Sequence, residues 1–294
     1  MPRIINGSKE EAMEQRKGSE LAWDGRRGNA WVDLQPMLDR LFFPLEQILA
    51  DAAVTQSPRN VLDVGCGTGA TTLAIARRLA PLGTCCGVDI SEAMLDHARH
   101  RAMAESAKNA RFLAGDAQRY RFETGSFDAV VSRFGVMFFD DPEAAFANIG
   151  NAVAPGGRLT SLVWRSREEN PFMTAAERAA APLLGWGAPV DPHEPGQFAW
   201  SDPDRVARLL RAAGWHSVDV VSLDVRCRMT EADLHRYARC LGPVGMILPS
   251  LESSLRDRVL AVLDAAFVEF LIDGAVQFDA ACWMVSAQAG SRPC

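Results

Sequence analysis

The stretch VLDVGCGTGATT, Val61 to Thr72, constrains the fold more than any other part of the chain. Val61 to Val64 reads as a buried strand and a helix opens near Gly69, so the glycines between them form a strand-to-helix turn. Glycine lets a ligand approach the backbone closely there, and the helix N-terminus favours an anion. The turn admits two registers. Gly65, Gly67 and Ala70 fit the G-x-G-x-x-G/A spacing that holds a dinucleotide pyrophosphate. Gly65, Gly67 and Gly69 equally fit a G-x-G-x-G loop for a sulfonium nucleoside that carries an amino acid.

From about residue 58 to 165, short β-branched runs alternate with helical patterns, the signature of a parallel sheet with crossover helices. The strands are NVLDVG, TCCGVDI, ARFLAGD, FDAVVSRF and RLTSLVW, with helices opening near Gly69, Ser91 and Pro142. Ser91 suits an N-cap with Glu92 just inside, Pro142 suits a first helical turn, and Gly156 and Gly157 after Pro155 supply the turn that closes the last helix. Beyond residue 165, SREENPFM through GQFAW is rich in Pro, Gly and Trp and reads as an insertion over a binding face, with a short helix around Thr174 to Leu184. SDPDRVARLLRAAG is a capped amphipathic helix ended by Gly214, and a strand follows at HSVDVVSLDVRC. Two further helices come next. The second is marked by Leu251, Leu255, Val259, Leu263, Phe267 and Phe270, runs up to Gly274, and reads as core packing. VQFDAACWMVSA supplies the last strand.

The expected architecture is α/β, a seven-stranded, mostly parallel, doubly wound sheet with helical cap insertions. Its segments are an N-terminal helical cap over 1–58, a ligand-binding α/β core over 59–165, a cap insertion over 166–200, a core helix and strand over 201–228, a helical insertion over 229–275, and a final strand and tail over 276–294. LAWDGRRGNAWVDLQPMLDRLFFPLEQILADAA, ahead of the glycine turn, predicts one or two helices carrying Trp23, Trp31, Phe42 and Phe43.

Charge separates the two registers. Asp63 lies two residues before Gly65, where its carboxylate meets a ligand ammonium directly or through water and repels a pyrophosphate. Asp89 closes the second strand, 26 residues after Asp63, where an acid accepts the ribose hydroxyls that both candidate ligands possess. Asp116, in LAGDAQ, ends the third strand, where an acceptor meets an adenine amino group. Any one of these acids also reads as a loop cap. Together with the glycine turn they sit on one carboxyl edge of the sheet, where open parallel sheets bind ligands.

VLDVGCGTG, GVDISEAML, LAGDAQ, FDAVVSRFGVMFF and PGGRL, in that order and spacing, resemble the successive motifs of the class I S-adenosylmethionine-dependent methyltransferases over about residues 59 to 164. More narrowly, the chain resembles the small-molecule branch related to ubiquinone/menaquinone C-methyltransferases, including the W-D-G and G-N-A-W segment ahead of the core. The resemblance implies a Rossmann-like fold, S-adenosylmethionine as cofactor and S-adenosylhomocysteine as product. It implies that Gly65, Cys66, Gly67 and Gly69 line the methionine part with Asp63 at the amino group, that Asp89 binds the ribose, that Ile90 and Met94 sandwich the adenine, and that Asp116 with Ala117 reads the adenine edge. Ser132, Arg133 and Phe134 are implied beside the sulfonium. Arg133 departs from the pattern: a guanidinium close to a sulfonium costs energy, so it is expected to turn toward the cofactor carboxylate or an acidic substrate. Trp31 is expected either to cover the cofactor from the N-terminal helices or to pack in the core.

A methyl on cationic sulfur is transferred by in-line displacement, and holding the nucleophile behind it supplies much of the rate. Acidic hydroxyls and stabilised carbanions need a modest base or none, so no catalytic residue stands out. His193, His235, Asp140 and Asp141 are candidate bases, although a surface or loop position for the histidines and a helix N-cap before Pro142 for the aspartates are plainer readings. SRFG ends the fourth strand in place of an N-P-P-Y-type motif, which argues against nucleobase N-methylation. Aromatic residues concentrate where the cap should lie, and Phe138, Trp164, Phe172, Trp186 and Trp200, with Phe134, Phe139 and Phe198, predict an apolar, enclosed pocket for a small aromatic, quinone-like or lipid-like acceptor. Core packing is the other reading of those rings.

A net charge of -6 argues against broad nucleic-acid binding, which needs a clustered basic face. No apolar run reaches the ~20 residues of a membrane span, and MPRIINGSKEEAMEQRKG lacks the apolar centre of a secretory signal, which predicts a cytoplasmic protein. The 7 cysteines show no C-x-x-C spacing and the 5 histidines no H-x-x-x-H pair, so no metal site is predicted. Two alternatives stand beside methyl transfer: an NAD(P)-dependent oxidoreductase, from the Gly65, Gly67, Ala70 match, and a cofactor-binding protein without transfer activity. The sequence leaves open which atom is methylated, carbon, oxygen or nitrogen, and the oligomeric state.

Overall fold

The alternation of strand and helix folds into one mixed sheet. The structure, a computed structural model, describes residues 23, 25–187 and 194–290. His193 lies outside the described residues. Eight strands are present among the described residues: β1 Asn60–Val64, β2 Thr84–Asp89, β3 Ala110–Ala114, β4 Phe127–Arg133, β5 Val153–Trp164, β6 Trp215–Met229, β7 Leu271–Ile272 and β8 Ala275–Ala289. Their order is β3-β2-β1-β4-β5-β8-β6, with β7 paired to β8. Strands β1 to β5 are mutually parallel, and β8 runs antiparallel to both β5 and β6.

The short β7 is where the sequence reading and the structure part. The helix predicted to reach Gly274 stops at Ala266, and a 3-10 turn over Val268–Phe270 leads into the strand. Asp273 and Gly274 have φ of +51° and +75°, the paired left-handed geometry of a two-residue hairpin turn. That turn lays Ile272 against Ala275 and Leu271 against Val276. A second difference lies at Pro155-Gly156-Gly157. The helix before it ends at Ala152, and these residues form an irregularity within β5, where the pairing to β4 jumps from Phe127↔Val153 to Ala129↔Arg158.

Ten α-helices are described: α1 Arg26–Asp33, α2 Gln35–Val54, α3 Ala70–Leu79, α4 Glu92–Ala104, α5 Pro142–Ala152, α6 Pro171–Leu184, α7 Pro203–Ala212, α8 Glu231–Cys240, α9 Gly242–Ile247 and α10 Ser253–Ala266. Side-chain caps set several starts: Ser91 accepts from the Met94 N–H, Asp141 from Ala144, Asp202 from Asp204 and Arg205, and Thr230 from Asp233. Helix α2 buries Leu38, Leu41, Leu45 and Leu49 and packs on α3, β4, β5 and β6. Trp215 anchors the far side, its buried indole N–H donating to the Phe146 carbonyl at 3.0 Å.

Helices α6, α8, α9 and α10 pack on one another as a cap. Phe172 of α6 joins that cap to the sheet by stacking on Phe278 of β8, centroids 3.8 Å apart and planes 2° from parallel. Among the described residues, no helix is long and apolar enough to cross a membrane.

Candidate functional site

A cavity of about 1100 Å³ opens where β1, β2 and β4 end, roofed by α1 and the cap helices. It exceeds the roughly 300–1,000 Å³ of a pocket for one ligand. Gly65 and Gly67 line it with φ of +69° and +53°. A Cβ on Gly65 would sit 2.7 Å from the Gly135 Cα, so the loops after β1 and β4 meet backbone to backbone. The N–H groups of Gly65 and Cys66 both donate to the Val88 carbonyl, at 2.9 and 3.1 Å, which ties the loop to β2.

Asp89 is held from two sides. Its Oδ2 accepts the Gly67 N–H at 2.8 Å and its Oδ1 accepts the Ser91 N–H at 3.0 Å. Ile90 and Met94 continue the same wall, followed by Asp116 and Ala117. The Asp116 carboxylate accepts the Gln118 N–H at 2.9 Å and pairs with Arg119 at 3.3 Å. Gly69 stands apart from the cavity: its missing side chain leaves room for helix packing, since a Cβ would lie 2.9 Å from that of Ala98.

Asp63 and Ser132 lie behind this wall. Asp63 is 1% exposed, and its Oδ2 accepts the Thr72 hydroxyl at 2.6 Å. Side chains alternate along a strand, and at Asp63 that alternation aims the carboxylate at helix α3 and away from the cavity. Burial pushes its pKa up to about 6, against the lowering effects of the Thr72 hydrogen bond and the nearby Arg133 charge. Ser132 donates to the Val64 carbonyl at 2.8 Å and accepts the Gly135 N–H at 3.2 Å, bracing the two loops.

Arg133 at the end of β4 and Phe134 just after it line the cavity. The Arg133 guanidinium carbon lies 5.9 Å from the Phe42 ring centroid, within cation–π range, and its buried Nη1 has no hydrogen-bond partner. Phe134, at φ +65°, stacks on Trp164 with centroids 4.4 Å apart and planes 7° from parallel. Phe42 meets both rings edge-on. Nearer the mouth, Trp23 packs edge-on to Trp31 at 6.3 Å and to Phe138 at 5.3 Å. These rings form one aromatic wall continuous with the glycine loop.

Three rings predicted for the pocket stand elsewhere. Phe172 is buried between α6 and β8, Trp200 is buried 5.1 Å from Phe146, and Trp186 packs on the fringe of the core. Composition marks such a segment as aromatic without saying which way each ring points. Conversely, Trp23 and Phe42 join the wall although the sequence placed them only in N-terminal helices, and Tyr237 reaches the cavity from α8 with no sequence signal at all. Of the candidate bases, Asp140 is exposed at the rim and Asp141 caps α5 through the Ala144 N–H at 3.0 Å. His235 is 3.3 Å from Asp264 on the outer side of the cap. Among the described residues, no histidine lines the cavity.

The family of methyltransferase domains matches residues 61–157, from the glycine strand into β5. The chain is 32% identical over 176 residues to the demethylmenaquinone methyltransferase of Deinococcus radiodurans, across 57% of this chain and 72% of that protein. The chain belongs to the class I S-adenosylmethionine-dependent methyltransferases. The methyltransferase is also 31% identical over 208 residues to the nocamycin O-methyltransferase of Saccharothrix syringae, covering 65% of this chain and 71% of that one. Its fold is similar to that of the YcgJ protein from Bacillus subtilis, at a TM-score of 0.56 and 17% identity, over 85% of this chain and 100% of that one. As a member of that family, this methyltransferase uses S-adenosylmethionine as its cofactor. The site fits that donor, because the positive-φ glycines leave a side-chain-free cradle and the orphaned Arg133 Nη1 stands ready for a carboxylate.

Proposed function

We propose that this methyltransferase methylates a small, largely apolar, ring-bearing acceptor whose reacting oxygen or carbon ionises with little help from the protein. The aromatic wall of Trp23, Phe42, Phe134, Phe138 and Trp164 running on from the glycine loop carries this reading. Flat rings bury a large apolar area and offer stacking faces to a flat ligand. An acceptor that is itself an acid needs only a modest base or none. The relatives named for demethylmenaquinone and for O-methylation of nocamycin point the same way.

When bound, S-adenosylmethionine supplies an electrophilic methyl group. We assign the loop of Gly65, Cys66 and Gly67 to its methionine part, Asp89 to the ribose, Ile90 and Met94 to the faces of the adenine, and Asp116 with Ala117 to the adenine edge. Arg133 pairs with the carboxylate of the amino acid, which gives its unpartnered Nη1 an acceptor and keeps the guanidinium directed away from the sulfonium. The aromatic wall excludes water and aligns the acceptor for in-line attack.

Transfer of labelled methyl groups to 2-hydroxy-1,4-naphthoquinone and 1-naphthol, with benzylamine and adenine as controls, tests this assignment. Label is expected in the two acidic ring compounds. Label in the amine alone would overturn it.

A further inference from the structure

Helices α6, α8 and α9, with the Leu241 junction between the last two, line the cavity from the cap with Met173, Leu241, Pro243 and Met246. Those helices contribute two polar side chains to it among the described residues. One, Glu177, is already paired with Arg167 at 2.7 Å. The other is Tyr237, whose hydroxyl has as its partner the Met173 thioether, 3.2 Å away. A thioether sulfur is a weak acceptor, and a hydroxyl in apolar surroundings is costly unless it finds a good one. Tyr237 is held firmly: Phe172 lies 5.5 Å from its ring, and Phe172 is itself stacked on Phe278. Burial, with no charge beside it, pushes the phenol above its ordinary range, so the group stays protonated and donates.

We propose that the Tyr237 hydroxyl is the donor that recognises an oxygen of the acceptor at the cap end of the cavity, exchanging the Met173 sulfur for a carbonyl or hydroxyl oxygen. The assignment rests on the ring-binding reading above and narrows it. The acceptor carries a hydrogen-bond-accepting oxygen that meets the cap, and a ring system bearing hydrocarbon alone is discriminated against. A site built to hydrogen-bond an oxygen rejects the analogue that lacks it, because the donor is then left with only the weak thioether acceptor.

The test compares 1-tetralone with tetralin, a ketone and its parent hydrocarbon, by equilibrium dialysis against the full chain saturated with S-adenosylhomocysteine. The wild type is expected to hold 1-tetralone roughly fivefold to tenfold more tightly, the worth of one net hydrogen bond. In Tyr237→Phe the preference should vanish through loss of ketone affinity, with tetralin binding, S-adenosylhomocysteine affinity and melting temperature retained. Met173→Leu removes the competing sulfur and should keep or widen the preference, which provides a second reading should the first variant fold poorly. Equal binding of both compounds by the wild type, or a preference that survives in Tyr237→Phe, overturns the role of Tyr237 and leaves the ring-binding cavity standing. Binding of neither compound overturns both.

Discussion

At Asp63 the direction of the side chain matters as much as its position. Its spacing before Gly65 marked it as a partner for a ligand ammonium, yet the carboxylate is buried behind the loop and bonded to Thr72. A ligand ammonium at the loop would feel its charge through space. With its pKa raised from 3.8 to about 6, the folded state holds a proton that the unfolded state has released. Its contribution to stability is fully present below pH ~4 and is lost as pH rises through about 6. An ammonium at the loop favours the ionised form. Affinity for S-adenosylhomocysteine is expected to fall as pH drops from 7 to 5, whereas 5′-methylthioadenosine, which lacks the amino acid, should keep its affinity across the same titration. Parallel losses for both nucleosides would assign the effect elsewhere. For Asp89→Ala, calorimetry should record S-adenosylhomocysteine binding weakened by roughly 1–3 kcal/mol, the cost of stranding polar partners. Asp141→Ala separates cap from base: loss of the Ala144 contact should lower stability by about 1 kcal/mol while turnover is unchanged. The acids at the strand ends were legible because position along a strand is a matter of sequence, whereas the direction of a buried carboxylate depends on which helix covers it.

Among the elements, the loop after β1 is the most constrained. Gly65→Ala meets two obstacles at once, a φ of +69° and a Cβ 2.7 Å from the Gly135 Cα. The backbone strain alone costs on the order of 1–3 kcal/mol, and relief of the contact must part the loops that shape the cradle. A lowered melting temperature together with loss of S-adenosylhomocysteine binding is expected; a variant that binds normally would show that the two loops tolerate separation. The five parallel strands and their helices could be read from period and punctuation alone. The hairpin at Asp273-Gly274 could also have been read, since Asp-Gly between apolar runs is a strong turn signal, but the apolar stripe of the preceding helix masked it. At Pro155-Gly156-Gly157 the turn residues were recognised, and the structure absorbs them as an irregularity of β5 because the neighbouring β4 continues to pair on either side.

Over the whole molecule, cap and sheet are joined by apolar contacts that the sequence disclosed only as composition. Phe172 and Trp200 were as plausible in a pocket as in a core, and only the packing of α6 on β8 and of Trp200 on Phe146 decides. Phe172→Ala should cost about 3–5 kcal/mol and lower one shared melting transition, since the ring is packed against both cap and sheet. Two separate transitions in calorimetry would show the cap to be an independent unit. Polar ties add to the same closure: Arg40 pairs with Asp233 at 2.9 Å, and Arg26 donates to the Met246 carbonyl at 2.8 Å. The aromatic wall has a consequence for how such an enzyme changes partners. Its rings come from Trp23 and Phe42 upstream and Phe134, Phe138 and Trp164 downstream, and Tyr237 lines the same cavity, whereas the glycine loop and the acids near it fall between Asp63 and Asp116. Substitution in the two outlying stretches would thus retune what is methylated without touching the glycine loop and acids proposed to hold the donor.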